Sequence, residues 1–280
     1  MIRTILLVLF IISTGFAQTQ IVNSSSYSAT LPTTCPTTQP VPKLDWPMKI
    51  AGFSVEHRPI EYAIIGSGKD TLLIFAGIHG DEKSGVELIV QLGNYLQQDP
   101  SFLKGKTLIL LPLANPDGYF HNCRENCRKV DLNRNFDTSN RRKKKWSGKQ
   151  ALSEPEAQAV KKIIETYHPT RIVSIHQIVK LKGPITRGLI DYNGPAEILA
   201  CRMSECCPLM IKKWGARPGS LGSYAGEELK IPIVTLEMHK DSIKQDADQL
   251  WKTYGKALLA AILYPELLSE KLSVSSEVRD

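Results

Sequence analysis

Apolar residues along the chain gather into short continuous runs separated by stretches of helical spacing. The runs 60–65, 71–78, 107–113, 171–175 and 231–236 have the length and β-branched content of strands. The first ends at Gly66-Ser67-Gly68, so 60–65 and 71–78 are expected to pair as a hairpin. From Val86 onward, Leu88, Ile89, Leu92 and Leu96 recur on one helical face, which predicts a helix over 83–98. Asn115-Pro116-Asp117-Gly118 is the strongest turn signal in the chain. Ser153-Glu154-Pro155-Glu156 reads as a Ser cap with Glu three residues later, opening a helix to about Tyr167. Helices over 195–214 and 240–263 flank a Gly-rich loop at 218–226. Strands alternating with helices predict an α/β fold, a single-domain α/β/α sandwich around a mixed, largely parallel central sheet.

The ends of the chain differ in character from the middle. Arg3, an apolar centre over 5–12 and Ser13-Thr14-Gly15-Phe16-Ala17 form a basic start, a hydrophobic run and a small-residue cleavage pattern. This predicts a signal peptide over 1–17 and a periplasmic or secreted protein. No stable membrane insertion is expected after its removal, because the run is short for a bilayer span. Residues 18–43 are expected to be a Ser/Thr/Pro-rich leader, 44–268 the folded domain, and 269–280 a polar tail. Export permits disulfides among Cys35, Cys123, Cys127, Cys201, Cys206 and Cys207, whose pairing the sequence leaves open.

Hydrophobic content of 42% and charged content of 22% are those of an ordinary globular protein. Of the net charge of +7, five positive charges stand together at Arg141-Arg142-Lys143-Lys144-Lys145. Such a run is most often a solvated loop, and without a nucleic-acid motif no nucleic-acid partner is expected. Oligomeric state is not legible.

The chemistry concentrates at predicted strand ends. His79 follows the apolar run 71–78 and Glu82 stands three residues on, near a helix start, so the two can converge as metal ligands. His176 follows the strand 171–175 and offers a third ligand, leaving a fourth position open. Glu237 closes the strand 231–236, where a carboxylate is costly unless paired or used as a base. Asn133 and Arg134 can grip a substrate carboxylate, and Arg124 can stabilise an oxyanion, although each arginine also has a structural reading. Ligands of open α/β sheets bind beyond the carboxyl ends of strands, so His79, His176 and Glu237 are expected on one rim.

Taken in order, His79-Gly80-Asp81-Glu82, Asn115-Pro116-Asp117-Gly118, Asp131-Leu132-Asn133-Arg134-Asn135-Phe136, Ser153-Glu154-Pro155-Glu156, Ser174-Ile175-His176 and Thr235-Leu236-Glu237 resemble the zinc metallocarboxypeptidases of the carboxypeptidase A-like family. The resemblance implies a zinc carboxypeptidase-like fold and one Zn2+ per chain on His79, Glu82 and His176. It further implies Glu237 as general base, Arg124 polarising the scissile carbonyl, and Asn133 and Arg134 holding a terminal carboxylate. The stretch from Pro218 to Tyr224 resembles the bacterial murein-peptide amidase branch, which cuts between γ-D-glutamate and diaminopimelate. Tyr224 becomes a candidate substrate-binding residue, although it stands closer to Glu237 than the family's capping tyrosine. That branch is typically cytoplasmic, whereas this chain carries an export pattern. The expected substrate is a peptidoglycan-derived peptide; the alternatives are a carboxypeptidase of ordinary peptides and a non-catalytic wall-binding pseudo-enzyme.

Overall fold

The structure, a computed structural model, describes residues 41–178, 188–207, 209–268 and 271. The expected signal peptide over 1–17, the expected leader up to residue 40 with Cys35, and the expected tail over 269–280 apart from Lys271 lie outside the described residues. Among the described residues eight strands form one sheet: β1 (Met48–Phe53), β2 (Pro59–Gly66), β3 (Asp70–Phe75), β4 (Lys106–Leu111), β5 (Arg171–Gln177), β6 (Gly188–Asn193), β7 (Met210–Ile211) and β8 (Ile233–Met238). Their order is β1-β2-β4-β3-β5-β8-β6-β7. The inner four, β4-β3-β5-β8, run parallel. β2 joins β4 antiparallel, and β6 joins β8 antiparallel.

Among the described residues five α-helices accompany the sheet: α1 (Ser84–Gln98), α2 (Pro116–His121), α3 (Pro155–Tyr167), α4 (Glu197–Glu205) and α5 (Ala247–Leu263). Alternate residues of the inner strands face opposite cores, as the strand period requires. Leu72 and Ile74 pack with Leu88 and Leu92 of α1, Leu199 of α4 and Leu258 of α5. Leu73 and Phe75 pack on the other side with Val160 and Ile163 of α3 and with Leu132, Phe136 and Tyr224. A strand whose every side chain is apolar belongs between two helical layers, and the expected α/β/α arrangement is observed.

Several local expectations are corrected. β2 and β3 do not form a hairpin: β4 lies between them, antiparallel to β2 and parallel to β3. β3 is apolar and buried over Leu72–Phe75 and takes the interior slot between β4 and β5, which leaves β2 to pair with β4's outer edge. The helix predicted over 195–214 is only α4, ending at Glu205, since Pro208 denies the next turn an amide donor. Asn115-Pro116-Asp117-Gly118 is a helix start rather than a free turn: the Asn115 side chain accepts from the Gly118 amide, and Pro116 occupies the first position of α2. Ser153 is not a cap, because Pro155 at the first helical position moves the start to Glu154, which makes no side-chain cap bond. β1, β6 and β7 are absent from the expected strands, and β7 falls inside the helix expected over 195–214.

One buried charge ties the sheet to α5. The Arg171 guanidinium, almost fully buried, donates to the Ala261 and Ile262 carbonyls at 2.8 Å, in the last turn of the helix. Its other face forks onto Asp70, which also accepts from Lys106 at 3.2 Å. Burial works against the charged Asp70, but Arg171, Thr170 and Lys106 outweigh it and hold its pKa below the ordinary carboxylate value. The depressed pKa means this stabilisation is complete above the unfolded value of about 3.9 and is lost as pH falls through the folded one. Asp70→Asn is expected to cost about 1–3 kcal/mol at neutral pH, read by urea denaturation, with the gap to wild type closing in acid.

Candidate metal centre

The loop that carries His79 is shaped by glycine. β3 stops at Phe75, and the backbone turns at Gly77 (φ 64°), where the Ala114 and Asn115 amides donate to the Ala76 and Gly77 carbonyls at 3.0 and 2.8 Å. Gly80 then presses on α2: a Cβ there would lie 1.9 Å from the Gly118 carbonyl carbon. The Glu82 amide donates to the His79 carbonyl at 3.3 Å, folding the two side chains onto one side just before α1 begins.

His176 enters from the end of β5 and stands beside Glu237 on β8 in the parallel ladder. His79, Glu82 and His176 are all buried. His79 Nδ1 lies 2.8 Å from Glu82 Oε1, His176 Nδ1 lies 2.9 Å from Glu82 Oε2, and the two Nδ1 atoms are 3.2 Å apart. Tetrahedral zinc with ligands at about 2.0–2.1 Å has donor-to-donor edges of about 3.3 Å. Two imidazole nitrogens and a carboxylate drawn together at this spacing, each on a buried residue, fit that ion and its open fourth position.

Asp131 supplies an orienting contact that sequence reasoning quoted only as part of a motif. Its Oδ1 lies 3.1 Å from His79 Nε2, so the ring presents its other nitrogen to Glu82. Asp131 is held in turn by the Asn133 amide and by Arg124 Nε and Nη2. A short side chain that accepts from the amide two residues on is the legible signal for such a fixed carboxylate. Asp131→Asn is expected to weaken zinc affinity about 10–100-fold, measured by competition with a chromophoric chelator.

The electrostatics follow from this crowding. Burial opposes the charged form of His79, yet Glu82 and Asp131 outweigh it and raise its pKa to about 9. Burial likewise opposes the Glu82 carboxylate, but His79 and His176 hold it far below its usual range. Glu237 differs: burial, reinforced by the Glu82 charge, leaves its pKa raised against the pull of the histidines. A carboxylate kept basic beside a metal-binding cluster is suited to accept a proton.

The ligands open onto a cleft of about 780 Å³ that is also lined by Arg124, Asn133, Arg134 and Glu237. Arg124 Nη1 donates to Glu82 at 3.2 Å. Asn133 is fixed through its Oδ1, which accepts from the Leu221 amide at 2.9 Å. Burial and the nearby Arg124 and Arg217 press Arg134 below its usual pKa, with Asp131 countering, which marks a site short of negative charge. Tyr224 is not part of this cleft. It is buried in the core beneath α3, stacked on Phe136 with ring centroids 5.7 Å apart, so the structure does not bring it together with the other candidate site residues. Its segment, Gly222–Glu228, is a π-helix that turns the ring inward.

Sequence reasoning also missed Asp191, Asn193 and Arg217 in the cleft wall. The signal available was a charged residue inside the apolar stretch Leu189-Ile190-Asp191-Tyr192. Among the described residues the cysteines are free, with Cys207 in the core, and no helix is long and apolar enough to cross a membrane. In the basic run, Arg141 is used structurally, donating to the Ser147 and Gly148 carbonyls, while its four successors are exposed.

Comparison with known proteins gives a consistent relationship. Residues 47–181 match the zinc carboxypeptidase family. The chain is 30% identical over 188 residues to murein peptide amidase A of Escherichia coli, covering 61% of this chain and 72% of that protein. The crystal structure of murein-tripeptide amidase MpaA from Escherichia coli O157 superposes with a TM-score of 0.57 at 24% identity, covering 78% of this chain and 91% of that one. Carboxypeptidase A from Helicoverpa armigera gives a TM-score of 0.63 at 20% identity, covering 78% and 69%. These two share the fold. By sequence, then, the chain belongs to the zinc carboxypeptidase family and is a metallopeptidase-type hydrolase.

Proposed function

We propose that the chain is an exported zinc peptidase that hydrolyses peptidoglycan stem peptides at the bond between γ-D-glutamate and diaminopimelate. The observation that carries the chemistry is the convergence of His79, Glu82 and His176 within 4.8 Å of one another, with Glu237 beside His176 on the next strand. The substrate class is supported by the relationship to murein peptide amidase A. Export is supported by the pattern over residues 1–17.

His79, Glu82 and His176 would hold one zinc ion, which when bound supplies a Lewis acid that polarises a carbonyl and acidifies water. Glu237 takes the proton from the attacking water as the new C–O bond forms, then delivers it to the amine nitrogen as the C–N bond breaks. Arg124, which lines the same cleft, faces the carbonyl oxygen as negative charge develops there. Asn133 and Arg134 hold the free carboxylate of the leaving residue and so fix the scissile bond against Glu237.

The test is incubation of the zinc-loaded protein with defined muropeptides and with all-L peptides, with and without a chelator, followed by mass analysis. Chelator-sensitive release of diaminopimelate-containing fragments is expected. Cleavage confined to all-L C-terminal residues would instead assign an ordinary carboxypeptidase, and no turnover of either would leave a wall-binding protein without catalysis.

A further inference from the structure

The positive charge of the chain is not spread over its surface. Between Asp137 and Glu154 the sequence holds Arg141, Arg142, Lys143, Lys144, Lys145 and Lys149 and no acidic residue, so one loop carries six positive charges in a chain of net charge +7. Arg142, Lys143, Lys144, Lys145 and Lys149 are exposed, and none of them makes an ion pair among the described residues. Of the two flanking acids, Glu154 is buried and turned instead to Asn126 at 2.8 Å and Arg128 at 3.6 Å, and Asp137 makes no ion pair with the run. Trp146 stands within this run with 45% of its surface exposed.

Like charges repel, and a free segment would relax by spreading them apart. This loop is held together. The buried Ser147 hydroxyl accepts from the Lys144 amide at 2.9 Å and lies 2.9 Å from the Arg142 and Lys144 carbonyls. Asn135 Nδ2 donates to the Ser147 and Gln150 carbonyls at 3.0 and 3.1 Å, and Arg141 donates to Ser147 and Gly148 from the other side. The Trp146 carbonyl accepts from the Asp131 amide at 2.8 Å, so the indole is presented from an anchored backbone. The base of the loop adjoins the cleft, because the Gly219 amide donates to Thr138 Oγ1 and Asn140 Oδ1 at 3.2 Å, between the cleft residues Arg217 and Ser220.

Fixed, uncompensated cations in one place call for a polyanion, and the exposed indole selects which kind. A hydrated phosphate polymer offers such a ring nothing apolar. At a bilayer interface the ring is buried while its N–H stays among the headgroups. Single-stranded nucleic acid also stacks on aromatic rings, but its binders track the backbone along a basic groove, whereas these cations belong to one loop. We infer that the loop over 141–149 is a peripheral docking surface for an anionic lipid bilayer, with Trp146 entering the headgroup region and the exposed cations facing lipid phosphates. Each cation near such a surface strengthens binding about fivefold. Docking of this kind is reversible and does not span the membrane, and it holds the cleft near the lipid surface. It does not depend on the zinc chemistry or on the substrate.

The experiment titrates the zinc-loaded full chain with vesicles of brominated phosphatidylcholine, either alone or with about one-third brominated phosphatidylglycerol, and follows tryptophan fluorescence. Quenching is expected with the anionic vesicles and is expected to be lost in Trp146→Phe. Replacing Arg142, Lys143, Lys144 and Lys145 together by Gln is expected to raise the lipid needed about a hundredfold or more. Raising the salt from about 0.1 M to 1 M, which shortens the screening length from about 10 Å to 3 Å, is expected to reverse the quenching. All these side chains are exposed, and circular dichroism checks that each variant is folded. The apolar run over 5–12 is common to every sample and holds no tryptophan, so its own affinity for lipid does not enter the difference between wild type and Trp146→Phe. Equal quenching of those two proteins, or quenching by neutral vesicles as strong as by anionic ones, overturns the inference. Tighter binding to polyphosphate or to a single-stranded oligonucleotide than to the anionic vesicles, indifferent to Trp146→Phe, overturns it as well and leaves a soluble polyanion as the partner.

Discussion

Glu237→Gln is expected to fold normally, to keep its zinc, and to lose about 10²–10⁴-fold in kcat. The amide has nearly the shape of the carboxylate, so the packing against His176 on the neighbouring strand is preserved. What disappears is a basic oxygen. In the wild type that basicity is secured by burial and by the Glu82 charge, which raise the pKa of Glu237, so the group holds a proton more readily than an exposed glutamate does. Stopped assays with a γ-D-glutamyl peptide, alongside metal analysis of the same sample, separate the outcomes. Full zinc occupancy with near-normal turnover would remove Glu237 from proton transfer. Loss of zinc and turnover together would make it a support of the metal site instead.

His176→Ala is expected to abolish both zinc retention and hydrolysis. The substitution removes one of the three donors and also a contact at 2.9 Å to the Glu82 carboxylate. A site that binds zinc only when folded adds stability by mass action, about 2.7 kcal/mol when free metal exceeds the dissociation constant a hundredfold. Wild-type protein should therefore melt at a higher temperature with zinc than with a chelator, and the variant should melt at the same temperature in both. A variant that still gained stability from zinc would mean that the ion is held elsewhere.

The fold and the metal cluster were legible because they rest on local pattern. Apolar runs such as Leu72-Leu73-Ile74-Phe75 can only be interior strands, and His79 and Glu82 are neighbours by chain spacing alone. Partnership between distant segments was harder. The sequence gives no sign that β4 should separate β2 from β3, since all three strands have apolar faces and pairing is decided by the edges they leave. β6 escaped notice because Asp191 and Asn193 interrupt its apolar pattern, and those residues form the cleft wall. That Tyr224 lies away from the cleft was not legible, because a motif fixes a residue's position along the chain, whereas its direction depends on the π-helical turn around it. Asp131 was visible as a residue, but its role required knowing that the 3₁₀ turn at Leu132–Arg134 brings it back to His79.

The pairing of His176 with Glu237 across adjacent parallel strands has a mechanical consequence. Neighbouring strands are spaced about 4.8 Å apart by their backbone hydrogen bonds, so the interval between a metal-binding imidazole and the proton acceptor is inherited from the sheet itself. Slippage of β8 by one residue would point Glu237 to the opposite surface, and no rotamer change could bring it back. The reaction geometry is thus as stiff as the central ladder. Evolution can reshape what the cleft accepts through its loops and its outer wall while the chemical step keeps a fixed gauge.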